Sequence, residues 1–166
     1  PLDHVNASQS TNDVYPTAVK LALHLAAQRL LEAMDELRLA FQAKAEEFAD
    51  VLKLGRTQLQ DAVPMTLGQE FGAYAVTLGE DQERLAEAIA LLREINLGAT
   101  AIGTGLNTDP RYADAVCKNL SNIIDLELIT APHLVEATAD CGVFVQLSGV
   151  LKRIAVKLSK TCNDMR

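Results

Sequence analysis

Apolar side chains recur along the first third of the chain at steps of three, four or their sums. They are Val19, Leu23, Leu30, Met34, Leu37, Phe41, Phe48 and Leu52. A strand turns its side chains over at every residue, whereas this period keeps one face of a helix apolar. The run starts behind Ser10-Thr11-Asn12-Asp13, a cluster of N-cap residues, with Pro16 in an early turn, and ends at Gly55. Ser10 and Asp13 have capping-box spacing, although Glu or Gln is usual at the second place. The reading is one helix of about 40 residues, roughly 60 Å long. Such a helix exceeds what an ordinary globular core covers and reads as an element of a long bundle.

The rest of the chain repeats the theme. A polar loop, Arg56 to Pro64, leads into a second helix with the stripe Leu67, Phe71, Tyr74, Leu78, Leu85, Ile89 and Leu92, ending near Asn96. Asp109 and Pro110 read as cap and first turn of a shorter helix carrying Tyr112, Val116, Leu120 and Ile123. In the connector from Asp125 to Pro132, Leu126, Leu128 and Ile129 suit a short extended stretch. A last helix runs through Ala137, Cys141, Phe144, Leu147, Leu151, Ile154, Leu158, Cys162 and Met165. The fold class is all-α, a long-helix bundle over residues 1–166 with three long helices and a short one. Apolar faces this wide are expected to pack against other subunits.

Composition narrows the function. Of 166 residues, 49% are hydrophobic but only 4% aromatic, with no Trp, so the core falls to Leu, Ile, Val and Ala. Fifteen Lys and Arg stand against 22 Asp and Glu, a net charge of −7. Scattered acidic charge excludes nucleic acid as a partner, because phosphate backbones need a concentrated basic face. No apolar run approaches the ~20 residues of a membrane helix. Cys117, Cys141 and Cys162 form no CxxC pair, and Cys141 and Cys162 fall roughly 30 Å apart on one helix. Unpaired thiols fit a reducing, cytoplasmic setting. The opening Pro1-Leu2-Asp3-His4 and the closing Arg166, inside a helical pattern, lead us to expect a central piece of a longer protein with flanking domains on either side.

Common site signatures are missing. Gly103-Thr104-Gly105 has neither the third glycine of a dinucleotide fingerprint nor the Gly-Lys-Ser/Thr of a phosphate loop. His4, His24 and His133 lack metal-ligand spacing, so no metal site is expected. His24 reads as surface or interface and His133 as a helix start. Polar density instead gathers in three segments: Asn6 to Asp13, Arg56 to Asp61, and the small-residue stretch Gly98 to Asn107. Hydroxyls and amides at a helix N-terminus suit an anion, and they equally suit plain capping. The second segment reads also as a turn held by Gly55 and an Arg56–Asp61 pair. Together the three make a small, polar, anionic ligand plausible.

The same residues carry a family resemblance. Ser8-Gln9-Ser10-Thr11-Asn12-Asp13, the run from Gly55-Arg56-Thr57-Gln58 to Gly68-Gln69-Glu70-Phe71, and Gly103-Thr104-Gly105-Leu106-Asn107 resemble the fumarase/aspartase superfamily, most closely its aspartase branch. The resemblance spans the whole chain. It implies reversible elimination of ammonia from L-aspartate to fumarate through an enediolate, without a cofactor, in a cytoplasmic homotetramer with shared active sites. Its substrate-binding residues would be Ser10, Thr11, Asn12, Thr57 and Gln58. Gln58 stands where fumarases and some aspartases carry a histidine, and Thr11 where fumarases more often carry serine; aspartases tolerate Gln there, which favours the aspartase branch. The alternatives are a class II fumarase-like hydratase and a helical oligomerisation module without activity of its own. The family's base is a serine on a Gly-Ser-Ser-x-Met-Pro-x-Lys-x-Asn-Pro loop. This chain contains no such segment, so no catalytic residue is expected in it and the isolated stretch is expected to be inactive.

Overall fold

A computed structural model describes residues 2–166. The helices are α1 (Leu2–Val5), α2 (Thr11–Glu47), α3 (Leu67–Leu91), α4 (Tyr112–Ile124), α5 (Leu134–Ala139) and α6 (Gly142–Asp164). Four strands accompany them: β1 (Leu52–Thr57), β2 (Gln60–Thr66), β3 (Glu94–Ile95) and β4 (Ile129–Thr130). Helix dominates, as the periodicity requires. The chain divides into two compact units, residues 1–28 with 87–148 and residues 29–86 with 149–166.

In the first unit, Ile95, Leu97, Cys117 and Leu128 form a buried cluster, flanked by Leu21, Val116, Leu120 and Leu126. β3 and β4 pair in parallel, Glu94 with Ile129 and Ile95 with Thr130. This realises the extended stretch expected in the connector. α4 starts at Tyr112, later than Asp109-Pro110 suggested. Asp109 instead accepts from the Arg111 backbone N–H at 2.8 Å and from its guanidinium, which holds this carboxyl below the usual range. α4 ends on Asp125 in the left-handed conformation. His133 caps α5, its Nδ1 accepting from the Glu136 N–H at 3.1 Å, so the helix-start reading is correct. The last helix is not continuous. Asp140 is extended, and its carboxylate accepts the Gly142 N–H at the start of α6.

The buried side of α2 in this unit was not legible from hydrophobicity. Asp13, Thr17, Lys20, His24 and Ala27 are the buried positions, spaced four, three, four and three, while Val19 and Leu23 are only half-buried. Two polar members of this stripe, Asp13 and Lys20, bond the chain that follows α3, whereas Thr17 Oγ1 and His24 Nδ1 are buried without a hydrogen-bond partner. Lys20 Nζ donates to the Glu94 carbonyl at 2.7 Å, and Asp13 accepts from the amides of Gly98 and Thr100. Non-helical backbone carries donors and acceptors that an apolar face would leave unsatisfied. His24 is thus buried, not on the surface, within this chain.

In the second unit the expected apolar face is present in part, with Leu37, Leu151 and Met165 exposed and Val150, off the expected stripe, buried. Met34, Phe41, Ala75, Leu78, Leu85, Val150 and Ile154 are buried. Four of the chain's seven Phe and Tyr residues meet here: Phe41, Phe48, Phe71 and Tyr74, with ring centroids 5.6 to 6.1 Å apart. Asp81, 1% exposed, is paired with Arg153 and Lys157 on α6.

The segment between α2 and α3 is a β-hairpin, correcting the loop reading. α2 stops at Glu47, eight residues before Gly55, and β1 pairs antiparallel with β2 from Leu52↔Thr66 to Thr57↔Gln60. Gly55 sits at the register shift between Leu54 and Arg56, a bulge position. α3 then begins with a reciprocal capping box. Gln69 N–H donates to Thr66 Oγ1 at 3.1 Å, and Thr66 N–H donates to Gln69 Oε1 at 3.0 Å. Gly68 lies against the end of α2, where a Cβ would come 2.4 Å from the Ala45 carbonyl oxygen.

Candidate functional site

The N-terminus of α2 is built by its own side chains. Ser10 Oγ accepts from the Asn12 N–H at 3.2 Å, and Asp13 Oδ1 accepts from the Ser10 N–H at 2.9 Å. Of the capping box read from the sequence, the Asp13 half forms, with Asp in the place of Glu, while Ser10 Oγ takes the N–H of Asn12 instead of that of Asp13. Two amides that could have met an external anion are already satisfied. The side chains there can offer a ligand the hydroxyl hydrogens of Ser10 and Thr11 and the second N–H of the Asn12 amide.

Pro16 shapes the same turn. It lies deeper in α2 than a first-turn proline, and having no N–H it leaves the Asn12 carbonyl without its helical donor. Asn96 takes that place, its Nδ2 donating to the Asn12 carbonyl at 3.0 Å and to Thr138 Oγ1 at 3.1 Å. The Asn12 side chain reaches the other way, donating to the Ala101 carbonyl at 2.7 Å. The first and third polar segments, far apart in sequence, are thereby joined.

The Gly98–Asn107 segment is folded tightly. Gly98, Thr100, Gly103, Gly105 and Asn107 all have positive φ. A Cβ on Gly98 would lie 2.7 Å from Ala113 and one on Gly103 2.2 Å from the Val135 Cα, so both glycines are required by close approach. The Gly103 and Gly105 amides both donate to the Ala99 carbonyl at 3.1 Å.

At the N-terminal end of α2 lies a surface cavity of about 490 Å³ lined by Asn6, Gln9, Ser10, Thr11, Val14, Tyr15 and Ala18. It gathers two of the expected site residues, Ser10 and Thr11. Asn6 and Gln9 belong to the same polar segment, yet the motif alone did not single them out. Among the described residues no group of three His, Cys, Asp or Glu side chains is arranged to hold a metal ion.

Thr57 and Gln58 belong to the second unit, at the tip of the β1–β2 hairpin, and both are exposed. Gln58 and Leu59 have φ of 51° and 63°, the pattern of a type I′ turn made without Asn or Gly. Arg56 and Asp61 are cross-strand partners, with Arg56 Nε 4.0 Å from Asp61 Oδ1, and the chain turns between them. This exposed pair adds little stability. Two non-glycine residues in the left-handed region store strain, as residues held for function often do.

Comparison with known proteins matches a family model described as Lyase over residues 1–166. Aspartate ammonia-lyases from Pseudomonas fluorescens and from Escherichia coli K12 are 59% and 52% identical to all of this chain, which spans 35% of their length. Among solved structures, a fumarate lyase:delta crystallin from Brucella melitensis bound to cobalt is 59% identical, with a TM-score of 0.97. It matches all of this chain over 36% of its own. A class II fumarase from Schistosoma mansoni superposes with a TM-score of 0.94 at 33% identity, over 99% of this chain and 38% of its own.

Proposed function

We propose, from the premise that this chain belongs to the lyase family matched along its whole length, that it is the central helical part of an aspartate ammonia-lyase. The observation that carries this reading is the identity of 52 to 59% to aspartate ammonia-lyases across the entire chain, against 33% to the fumarase. The reaction is reversible loss of ammonia from L-aspartate to give fumarate. A base takes a Cβ proton, charge builds on the neighbouring carboxylate as an enediolate, and the amine leaves.

The demand on the protein is a set of donors that bind this doubly charged carboxylate more tightly than the ground state. Ser10, Thr11 and Asn12 suit that task, being neutral donors fixed at the positive end of a long helix. Thr57 and Gln58 complete the substrate-binding set. Gln58 orients a carboxylate without titrating, which fits a donor and excludes a proton relay at this place. No base is assigned within this chain. The parent is read as a cytoplasmic homotetramer that assembles each site from several subunits, with the flanking domains lying outside residues 1–166. Among the described residues no helix is long and apolar enough to cross a membrane.

The test is to follow fumarate absorbance with the full-length parent, supplied with L-aspartate or with L-malate. Fumarate from aspartate is the expected result. Fumarate from malate alone would replace this reading with the hydratase. Thr57→Val in the parent should weaken both substrate binding and turnover, and unchanged kinetics would remove Thr57 from the site.

A further inference from the structure

We propose that Asp13, which no substrate-binding role accounts for, is the positioning residue that holds Ser10, Thr11 and Asn12 in register with the Gly98–Thr100 turn. The proposal rests on the carboxylate-binding reading of those three residues.

Asp13 is completely buried, yet it carries a carboxylate. Burial of an anion is tolerated when donors replace the lost water. Here three backbone amides do so. Oδ1 takes the Ser10 N–H at 2.9 Å, and Oδ2 takes those of Gly98 at 3.1 Å and Thr100 at 3.0 Å. The positive end of α2 adds to the compensation.

The turn is shaped around that oxygen. Gly98 has φ +95° and Thr100 φ +61°, which turns two amides separated by one residue toward a single acceptor. Such concave arrays of N–H groups usually receive phosphates or other anions. In this protein the anion is supplied from within. Thr100 bears a β-branched side chain in a backbone region that disfavours it, so something must hold it there. The Oδ2 bond does this.

Neighbouring bonds close the same unit. Asn96 ties the Asn12 carbonyl, and the Asn12 side chain ties the Ala101 carbonyl. Asp13 therefore locks Ser10, the first of the Ser10–Asn12 donors, and the turn behind them with one side chain. It does not touch the substrate. Its effect on catalysis is through geometry, and small displacements of oriented donors cost on the order of 10²-fold in rate.

The experiment compares the full-length parent with its Asp13→Asn variant. Asparagine keeps the shape, but its NH2 opposes an amide donor, so at least one of the three bonds is lost. Three readouts are taken: amide hydrogen exchange at residues 10–12 and 98–101, kcat and KM for L-aspartate, and the inhibition constant of succinate, an unreactive dicarboxylate. The expected result is at least tenfold faster exchange on the side the new NH2 faces, either Ser10 or the Gly98 and Thr100 pair. It is accompanied by succinate binding weakened about tenfold and kcat/KM lowered about 10²-fold. Faster exchange with unchanged succinate binding and kinetics overturns the positioning role and leaves a purely structural one. Unchanged exchange overturns the clamp itself.

If the variant does not fold, exchange in the wild-type parent decides. Gly98 and Thr100 should be the best-protected amides between residues 98 and 107, and protection no greater than at Thr104 overturns the proposal. Exchange needs no substrate. Absence of ammonia release by the wild type would therefore sink the functional reading while the clamp is still judged on its own.

Discussion

Asn96 donates to the carbonyl of Asn12 at 3.0 Å, the acceptor that Pro16 leaves without a partner inside α2. A side chain thus stands in for the missing helical amide, and the two residues should be coupled. Asn96→Ala alone leaves a buried carbonyl unsatisfied and should cost about 1–3 kcal/mol. Pro16→Ala restores an N–H that can reach the same carbonyl. In that background Asn96→Ala should cost less by about 1 kcal/mol, the worth of one bond, with the Thr138 contact accounting for the rest. Urea unfolding of the four variants measures the coupling, and strictly additive effects would contradict the substitution of one donor for another.

Asp81 and its two cations make an asymmetric prediction. The carboxylate is 1% exposed, whereas Arg153 and Lys157 are 42% and 31% exposed, with contacts of 2.8 and 2.9 Å. Removing Asp81 lets both cations turn to water or to Glu80, which lies 3.7 to 4.0 Å away. Asp81→Asn should therefore cost only about 1–2 kcal/mol. Removing both cations in Arg153→Met with Lys157→Met strands a buried anion and should cost about 3–5 kcal/mol. Unfolding midpoints in the reverse order would show that the carboxylate, rather than the cations, is the better-solvated partner.

Lys20 offers a pH test. Burial pushes its ammonium below its ordinary value, and Glu94, Asp140 and Glu136 push it partly back. With a depressed value in the folded state, the unfolded chain binds more protons between that value and 10.5, so stability rises with pH across this window. Glu136→Gln removes one of the opposing charges and should lower the Lys20 value further. Carbon-13 titration of the lysine side chain checks this, and an unmoved midpoint would mean the carboxylate field does not reach Lys20.

Tyr74 moves in the opposite sense. Burial first, then the charges of Glu70 and Asp164, push its phenol up to about 12. The neutral phenol is favoured by the fold. Its contribution is complete below pH ~10, where the unfolded phenol titrates, and disappears as pH rises toward the folded value. Ultraviolet titration should show one phenol ionising late, a lag that Tyr74→Phe abolishes. A lag that survives the substitution would assign it to Tyr15 or Tyr112.

How much of this was legible differs from place to place. Long helices followed from the three-and-four spacing because a single buried face leaves that mark whatever lies opposite. The hairpin did not, although Leu52 with Leu54 and Val63 with Met65 alternate as strand residues do. Its turn is Gln58-Leu59 in place of Asn-Gly, and Pro64 within β2 argued against a strand. Thr66 and Gln69 have capping-box spacing, which marks a helix start but carries no sign of the strand before it. The α5–α6 break hid because Asp140 and Gly142 interrupt the backbone without interrupting the apolar pattern. At the candidate site the Ser10–Asp13 cap is local and visible. The bonds from Asp13 to Gly98 and Thr100 cross 85 and 87 residues and have no periodic trace.

Gln58 brings backbone and chemistry together at one testable position. Its φ of 51° lies in the left-handed region, which histidine enters more readily than most side chains. Gln58→His should therefore leave the hairpin intact while placing a titratable group where the proposed site has none. An exposed imidazole has its midpoint near pH ~6.5 and is cationic below it. A dicarboxylate substrate gains attraction from that cation, so KM for L-aspartate in the parent variant should fall as pH drops through ~6.5. The wild type, with a neutral amide at this position, should show no such step. Steady-state kinetics between pH 5.5 and 8 on both proteins, at about 0.1 M ionic strength to hold screening constant, decide the matter. Superimposable profiles would place residue 58 away from the substrate and confine its left-handed backbone to the making of the turn.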